Sequence, residues 1–276
     1  MKKTSLTPIG NFLMPSKIAY QGIEGAFSYI TAKKKFGKKA LFQGFPTFKE
    51  AFEAVEKGVV EVAVLPIENT LAGTIYETID LLNQGTLHII GTITTRVELS
   101  LLALPHASLK EIKKILSHEK ALEQCSSFFT ENPQIQAVPW YNTAGAAADV
   151  AKGGDREVAA LAHAEVAEIY GLKVLAEGVQ NHKENFTRFL LVSKKESQGP
   201  LAALCFILPH RPGSLAEVLT LLASEGMNLT YIVSRPLIGK PFEYVFYVEL
   251  EHFNPAILKA VSQKVEFLKV LGSFSS

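Results

Sequence analysis

The chain has 276 residues, 47% of them apolar, which is enough for one large domain or two ordinary ones with a substantial core. Its 28 basic and 27 acidic residues leave a formal charge of +1 with no dense basic run, which speaks against a nucleic-acid surface. No stretch approaches the ~20 apolar residues needed to cross a bilayer, and Cys125 and Cys205, far apart in sequence, fit a reduced interior, so a soluble cytoplasmic protein with no membrane partner is expected. Lys2 and Lys3 precede Leu6 and Leu13, but Pro8, Gly10, Asn11 and Pro15 break the apolar run that a secretory signal needs.

Lys17-Ile18-Ala19-Tyr20 predicts a short strand, and Gly22 and Gly25 a tight turn into a helix that runs to about Phe36 and ends at Gly37. Such a turn leaves helix N-terminal amides near Gly25 and Ser28 free to meet an anion, although an ordinary strand–helix turn looks the same. Thr47-Phe48-Lys49-Glu50 has capping-box spacing and opens a helix ending near Gly58. Val62-Ala63-Val64-Leu65-Pro66 reads as a buried parallel-type strand that stops at the polar loop Pro66-Ile67-Glu68-Asn69-Thr70. After Gly73 a helix runs from Thr74 to about Leu82. A carboxylate and an amide just beyond a core strand suit either ligand binding at the strand ends or a helix cap.

Residues 87–104 form two strands, or one long bent strand, that cross into a second lobe. Ser108-Leu109-Lys110-Glu111 repeats the capping-box pattern, Ile115-Leu116 leads to Ser117-His118, and a helix from about Lys120 carries Gln124. A strand at Gln136-Ala137-Val138, an alanine-rich helix after Asn142, a strand over 158–162, a helix over 163–170 and a strand at Lys173-Val174-Leu175 follow. The polar segment 180–184 then feeds Asn185-Phe186-Thr187-Arg188-Phe189, a strand with a polar mouth that continues into Leu190-Leu191-Val192. Strand alternation places Asn185, Thr187 and Phe189 on one face and Phe186, Arg188 and Leu190 on the other. The mouth is either a capped strand end or part of a site.

This alternation of strands and helices indicates an α/β fold with mostly parallel sheets in two lobes. Lys194-Lys195-Glu196-Ser197-Gln198-Gly199-Pro200 is a polar linker. Beyond it come a strand over 201–208, a turn at His210-Arg211-Pro212-Gly213, a helix over 214–224 and strands over 229–234 and 244–250. A helix start at Asn254-Pro255 and a last strand over 265–270 complete a βαββαβ, ferredoxin-like order. Its exposed sheet edge predicts pairing with a second copy, as a homodimer or homotetramer.

Several stretches together resemble prephenate dehydratase: Ala19-Tyr20-Gln21-Gly22 with Gly25-Ala26-Phe27-Ser28, Pro66-Ile67-Glu68-Asn69, Ser117-His118 with Gln124-Cys125, and Asn185-Phe186-Thr187-Arg188-Phe189. The tail is similar to the amino-acid-sensing ACT domain of that family, through Arg211-Pro212-Gly213-Ser214-Leu215 and Ser234-Arg235-Pro236. The resemblance implies a two-lobed, periplasmic-binding-protein-like α/β catalytic domain over 17–195 and an ACT regulatory domain over 200–276. It implies decarboxylating dehydration of prephenate to phenylpyruvate, with Thr187 catalytic and with Asn185, Arg188, Phe189, Glu68, Asn69, Ser117, Gln124, Gly25 and Ser28 around the substrate. It places an allosteric L-phenylalanine at Gly213, Ser214, Leu215, Ser234, Arg235 and Pro236. Two departures stand out: Val233 where the family commonly has glutamate, and Glu119-Lys120 where it usually has a Pro-Gln pair. The 16 residues before Lys17 are too few for the chorismate mutase domain that some relatives carry.

Aromatisation of the ring drives this reaction, so no cofactor and no metal are expected. His163 and His182 lack ligand-like spacing, His118 has either a catalytic or a structural part, and Cys125 reads as a packed thiol. A threonine hydroxyl is a weak acid, so Thr187 would donate a hydrogen bond or relay a proton to the leaving hydroxyl. Arg188 is open between a substrate carboxylate and a structural ion pair, because alternation sets it opposite Thr187. Glu68 would repel a dianion and is expected either to orient neighbours or to be protonated. The rival readings are arogenate dehydratase and a non-catalytic amino-acid sensor.

Overall fold

The computed structural model describes residues 15–37, 39–237 and 239–275, so the segment read above for a secretory signal lies outside the described residues apart from Pro15. The first lobe contains β1 (Lys17–Gln21), α1 (Phe27–Phe36), β2 (Leu41–Phe45), α2 (Phe48–Glu56), β3 (Val62–Asn69), the short β4 (Gly73–Thr74), α3 (Tyr76–Gln84) and β5 (His88–Arg96). The chain crosses to a second lobe of β6 (Ser100–Ala103), β7 (Lys114–Ser117), α4 (Glu119–Glu123), α5 (Ser126–Glu131), β8 (Gln136–Pro139), α6 (Thr143–Gly153), β9 (Val158–Ala162), α7 (Glu165–Tyr170) and β10 (Lys173–Ala176). It returns to the first lobe in β11 (Phe186–Ser193). A C-terminal layer follows: β12 (Leu201–Ile207), α8 (Ser214–Ser224), β13 (Asn228–Pro236), β14 (Tyr244–Glu251), α9 (Leu258–Ser262) and β15 (Phe267–Phe274).

The first sheet has the order β2-β1-β3-β11-β5, the second β10-β6-β9-β7-β8 and the third β13-β14-β12-β15. The expectation of mostly parallel sheets needs correcting. β11 runs antiparallel to both β3 and β5, and β6 antiparallel to both β9 and β10. The cause is the double crossing between lobes: a strand that returns from the other lobe enters its sheet from the opposite end. The same pairing corrects the loop expected at Pro66–Asn69. These residues extend β3, because β11 supplies partners as far as Thr187 opposite Asn69, and the ladder shifts register between Arg188 and Phe189, where Pro66 sits. Proline is tolerated at such an irregularity because no ladder hydrogen bond is asked of it there.

The lobes share a core. Tyr20, Tyr29 and Ile30 of the first pack with Leu102, Ala146, Ala147, Val150 and Val166 of the second. The third sheet is covered on one face by its helices, through Leu204, Phe206, Val218, Leu222 and Val248. Its other face, with Ala203, Cys205, Val245 and Tyr247, joins the first lobe's core of Phe52, Ile79, Leu82 and Ile89. Alternate side chains of β12 are therefore buried on both sides, which explains why this antiparallel strand reads as an unbroken apolar run.

Polar ties reinforce the docking. Lys269 Nζ donates to the carbonyls of Leu82, Asn83 and Gly85 at 2.8, 2.9 and 2.5 Å, placing a cation on the negative end of the α3 dipole. Arg235 binds Asp80 of α3 through two bonds of 2.9 and 2.7 Å and lies 4.5 Å from the centre of the Tyr76 ring. Gly272 (φ +153°) lets β15 approach β5 so closely that a Cβ there would stand 2.1 Å from the Ile89 carbonyl oxygen. Gly272→Ala is expected to lower unfolding stability by on the order of 2 kcal/mol or more, since backbone must move on one side of the joint; chemical denaturation measures it, and an unchanged midpoint would refute the close-approach argument.

Candidate active site

The strand pairing assembles the site. Thr187 on β11 lies opposite Asn69 on β3 and Thr95 on β5, so the last residue of one core strand and the first residues of another meet where the lobes join. Asn69 Oδ1 accepts from the backbone N–H groups of Leu71 and Ala72 at 3.0 and 2.8 Å. Two donors facing that oxygen leave one orientation for the amide, with Nδ2 turned the other way. Nδ2 lies 2.9 Å from Thr187 Oγ1, 2.7 Å from Asn185 Oδ1 and 3.1 Å from the Phe186 carbonyl, and donates toward all three. Because Asn185 Oδ1 accepts, its Nδ2 is free to donate to Gln124 Oε1 at 3.2 Å, in the second lobe.

The polarity of this chain has two outlets. Thr187 accepts from Asn69 and so keeps its own O–H for another partner. Gln124 accepts from Asn185 and so presents its NH2 group outward. Both are neutral donors. Asn185 is 1% exposed and Thr187 9%, while Asn69 and Gln124 at the two ends are half-buried, and among the described residues no buried side-chain polar atom lacks a partner.

Gln124 is held by the segment 180–184. Asn181 donates its backbone N–H to the Gln124 carbonyl at 2.7 Å, and its side chain joins Ser126 Oγ and the Ser127 N–H at 2.7 and 3.0 Å. Ser117 ends β7 fully buried and donates to the Leu161 carbonyl at 2.7 Å. Ser28 donates to the Gln21 carbonyl at 2.7 Å. Gly25, at φ +92°, brings the turn before α1 against α7, where a Cβ would meet Val166 at 3.2 Å. The N-terminus of α1 carries no side-chain cap, so its first-turn amides stay available. Phe189 lies 2% exposed in the core with Ile18, Ala32 and Val64 rather than beside the hydroxyl. His118 caps α4, its Nδ1 accepting from the Lys120 N–H at 3.3 Å. Burial pushes the Cys125 thiol up to about 12, which keeps it protonated.

Arg188 and Glu68 do not join this group. Expected beside the substrate, they lie on the opposite face of the first sheet from Thr187 and pair with each other and with the third sheet. Arg188 Nε donates to Glu68 Oε1 at 2.8 Å, and Nη1 pairs with Glu249 Oε2 on β14. Burial alone would depress the guanidinium's pKa, but Glu249 and then Glu68 outweigh it and raise the value, so Arg188 stays a cation. Alternation from Thr187 carries it there, and of the two alternatives the ion pair is the one formed.

In the C-terminal layer, Gly213, Ser214 and Leu215 line a cavity of about 510 Å³ with Leu208, Phe242 and Phe246. Ser234, Arg235 and Pro236 do not line it within one chain. Ser234 and Pro236 are exposed on β13, while Arg235 turns to Asp80 of the first lobe. Sequence reasoning missed Glu249. A lone carboxylate inside the apolar run Tyr244–Glu251 is the signal that it needs a buried cationic partner.

A two-lobed α/β fold of the periplasmic-binding-protein type, with a neutral amide–hydroxyl network where the lobes meet, is the class defined by these features. A family model described as prephenate dehydratase matches residues 18–197, and the chain belongs to that family. An arogenate dehydratase/prephenate dehydratase from Arabidopsis thaliana is 35% identical over 94% of this chain and 72% of its own length. A bifunctional chorismate mutase/prephenate dehydratase from Aquifex aeolicus is 33% identical over 94% of this chain and 73% of its own length. Among solved structures, GqqA, described as a novel type of quorum-quenching acylase, superposes with a TM-score of 0.86 at 31% identity, covering 94% of this chain and 98% of its own. The prephenate dehydratase of Arthrobacter aurescens in complex with L-Phe gives 0.85 at 27% identity, covering 94% and 90%.

Asn69→Asp tests the polarity argument. A carboxylate in place of the amide donor would accept the Thr187 proton instead of leaving it free. Dehydratase turnover should fall ~100-fold or more with the fold intact by circular dichroism; near-normal turnover would refute the assignment.

Proposed function

We propose that this chain converts prephenate to phenylpyruvate, water and carbon dioxide. The observation that carries the reading is the orientation of Thr187, whose oxygen accepts from Asn69 and whose O–H is thereby kept for a ligand. In the reaction the ring hydroxyl leaves with a proton as water, and the ring carboxylate leaves as carbon dioxide. The electron pair of the breaking C–C bond completes the aromatic ring. Thr187 donates to the departing hydroxyl, and Gln124 supplies a second neutral donor. After the turn at Gly25, the uncapped backbone amides of the first turn of α1, that of Ser28 among them, meet the substrate's carboxylate groups. Ser117 shapes the floor of the second lobe's contribution.

Thr187→Ala should lower kcat by ~10²–10⁴-fold, the usual worth of a positioned proton donor, while Thr187→Ser keeps most of it. Phenylpyruvate formation from prephenate at neutral pH measures this. Near-normal turnover by the alanine variant would sink the reading. Arogenate, which carries an amine where prephenate has a keto group, is the second substrate to assay, because relatives at similar identity are named for both activities. Turnover of neither would favour the sensor.

The C-terminal layer, in the βαββαβ order of an ACT domain, is proposed to bind L-phenylalanine in the cavity at Gly213, Ser214 and Leu215 and to lower activity. Support comes from the relative described in complex with L-Phe. Val233 packs into the core shared with the first lobe, away from that cavity, so its replacement of glutamate leaves the pocket lining intact. The proposed homodimer or homotetramer would form along the free edge of β13, beside the exposed Ile232 and Tyr244. Isothermal titration should show saturable heat with L-phenylalanine and inhibition over the same concentrations; no heat would remove the feedback proposal.

A further inference from the structure

The ion cluster behind β11 sits one residue from the hydroxyl to which the proposed reaction is assigned, and it is shared between the first lobe and the C-terminal layer. Glu249 on β14 is buried, its side chain 8% exposed. Its Oε1 accepts from the fully buried Tyr247 hydroxyl at 2.6 Å, and its Oε2 pairs with Arg188 Nη1. Arg188 also binds Glu68 on β3 and lies 5.3 Å from the centre of the Tyr231 ring. The Tyr231 hydroxyl in turn meets Thr74 Oγ1 at 2.6 Å on β4, whose partner residue on β3 is Glu68. The cluster therefore joins Arg188 on β11, Glu68 on β3 and Thr74 on β4, close to Thr187 and Asn69, to Tyr231, Tyr247 and Glu249 of the third sheet.

We propose that Glu249 is a positioning residue for the reaction. Through Arg188 it fixes the mouth of β11, and with it the direction in which Thr187 presents its O–H. The inference rests on the reading of Thr187 above. Three features carry it. First, Glu249 is locked on both oxygens, so it offers Arg188 one geometry. Second, Arg188 is held by carboxylates from two different sheets, and its place reports their separation. Third, the ladder between β3 and β11 shifts register between Arg188 and Phe189. On the β3 side, where Asn69 stands, the pairing of Thr187 and Arg188 is therefore not continuous with that of the buried part of the strand, although β5 pairs regularly with β11 on its other side through the same residues. A side-chain anchor at Arg188 sits on the site's side of that irregularity. Because β14 lies beside β13 in the third sheet, a shift of that sheet against the first lobe would be felt at Thr187 without any change in the network at Asn69.

The test separates positioning from docking. Lys269 is an equally substantial tie between the third sheet and the first lobe, but it grips the end of α3 and not β11. Glu249→Gln, Lys269→Met and Thr187→Ala are compared with the natural full-length protein for melting temperature, kcat and KM with prephenate. Glu249→Gln should lower kcat about tenfold with KM within about twofold, the signature of a group misplaced by a fraction of an ångström rather than of lost binding. Lys269→Met should lower the melting temperature while leaving kcat unchanged. Should Glu249→Gln not fold, Tyr247→Phe, which frees one Glu249 oxygen, should give a smaller fall in kcat, again at constant KM. Equal falls in kcat for the Glu249 and Lys269 variants, an unchanged kcat in Glu249→Gln (or in Tyr247→Phe as its substitute), or an effect on KM alone would overturn the proposal. If Thr187→Ala retains turnover, the reading of the site fails instead, a separate result.

Discussion

Two backbone amides decide the direction of the hydrogen bonds that run from Asn69 through Thr187 and Asn185 to Gln124. Leu71 and Ala72 point their N–H groups at Asn69 Oδ1, which forces Nδ2 toward Thr187 and Asn185. From there no choice remains: Asn185 must donate to Gln124, and Gln124 must present its amide nitrogen. An isolated asparagine could flip its amide at little cost. Here a flip would set two carbonyl-type oxygens against each other at the buried Asn185, an unsatisfied buried group costing ~1–3 kcal/mol, and would turn an NH2 group toward the Leu71 and Ala72 N–H groups. The turn after β3 is thus as much a part of the site as the side chains it carries.

β11 gives this arrangement its place in the fold. The strand is shared: Thr187 and Asn185 face the junction of the lobes, and Arg188, the residue after Thr187, faces the third sheet. Period-2 alternation makes adjacent residues serve different interfaces, so the short motif carries both the donor and its anchor. A buried ion pair is a poor source of stability, since desolvation offsets most of the attraction, whereas removing one partner costs ~3–5 kcal/mol. Such a pair is better understood as a registration device. It penalises any position of the third sheet in which Glu249 and Arg188 part company.

Alternation and motif order made much of this legible in the sequence. The faces of β11 follow from counting residues, and the two lobes and the C-terminal βαββαβ order from the spacing of strands and turns. What was not legible depends on partners remote in the chain. Nothing near Arg188 identifies Glu249, 61 residues on, as its partner. Nothing near Pro66 says that a later strand will extend β3 past the proline. The docking of the third sheet left a trace that is easily overlooked. In the antiparallel strand β12 both alternating faces are apolar, although helices cover only one, so the second face requires another layer. Arg235, in the stretch assigned by resemblance to ligand binding, meets Asp80 in that joint, because the joint uses the same face of β13 as Val233 and Tyr231.

The charge pattern of the site fits the chemistry proposed for it. Asn69, Asn185, Thr187, Gln124 and Ser117 are all neutral, while the cation closest along the strand is turned to the other face and doubly neutralised. A carboxylate that departs as carbon dioxide loses its charge on the way to the transition state. A guanidinium paired with it would bind the ground state more tightly than the transition state and so slow the step. A neutral O–H aimed at the leaving hydroxyl works in the opposite sense, because its acceptor gains negative character as the C–O bond stretches, so the hydrogen bond strengthens as the reaction proceeds. Keeping Arg188 in the ion cluster therefore does two things at once. It holds β11 in register with the third sheet, and it keeps a permanent positive charge out of a site in which charge must be allowed to disappear.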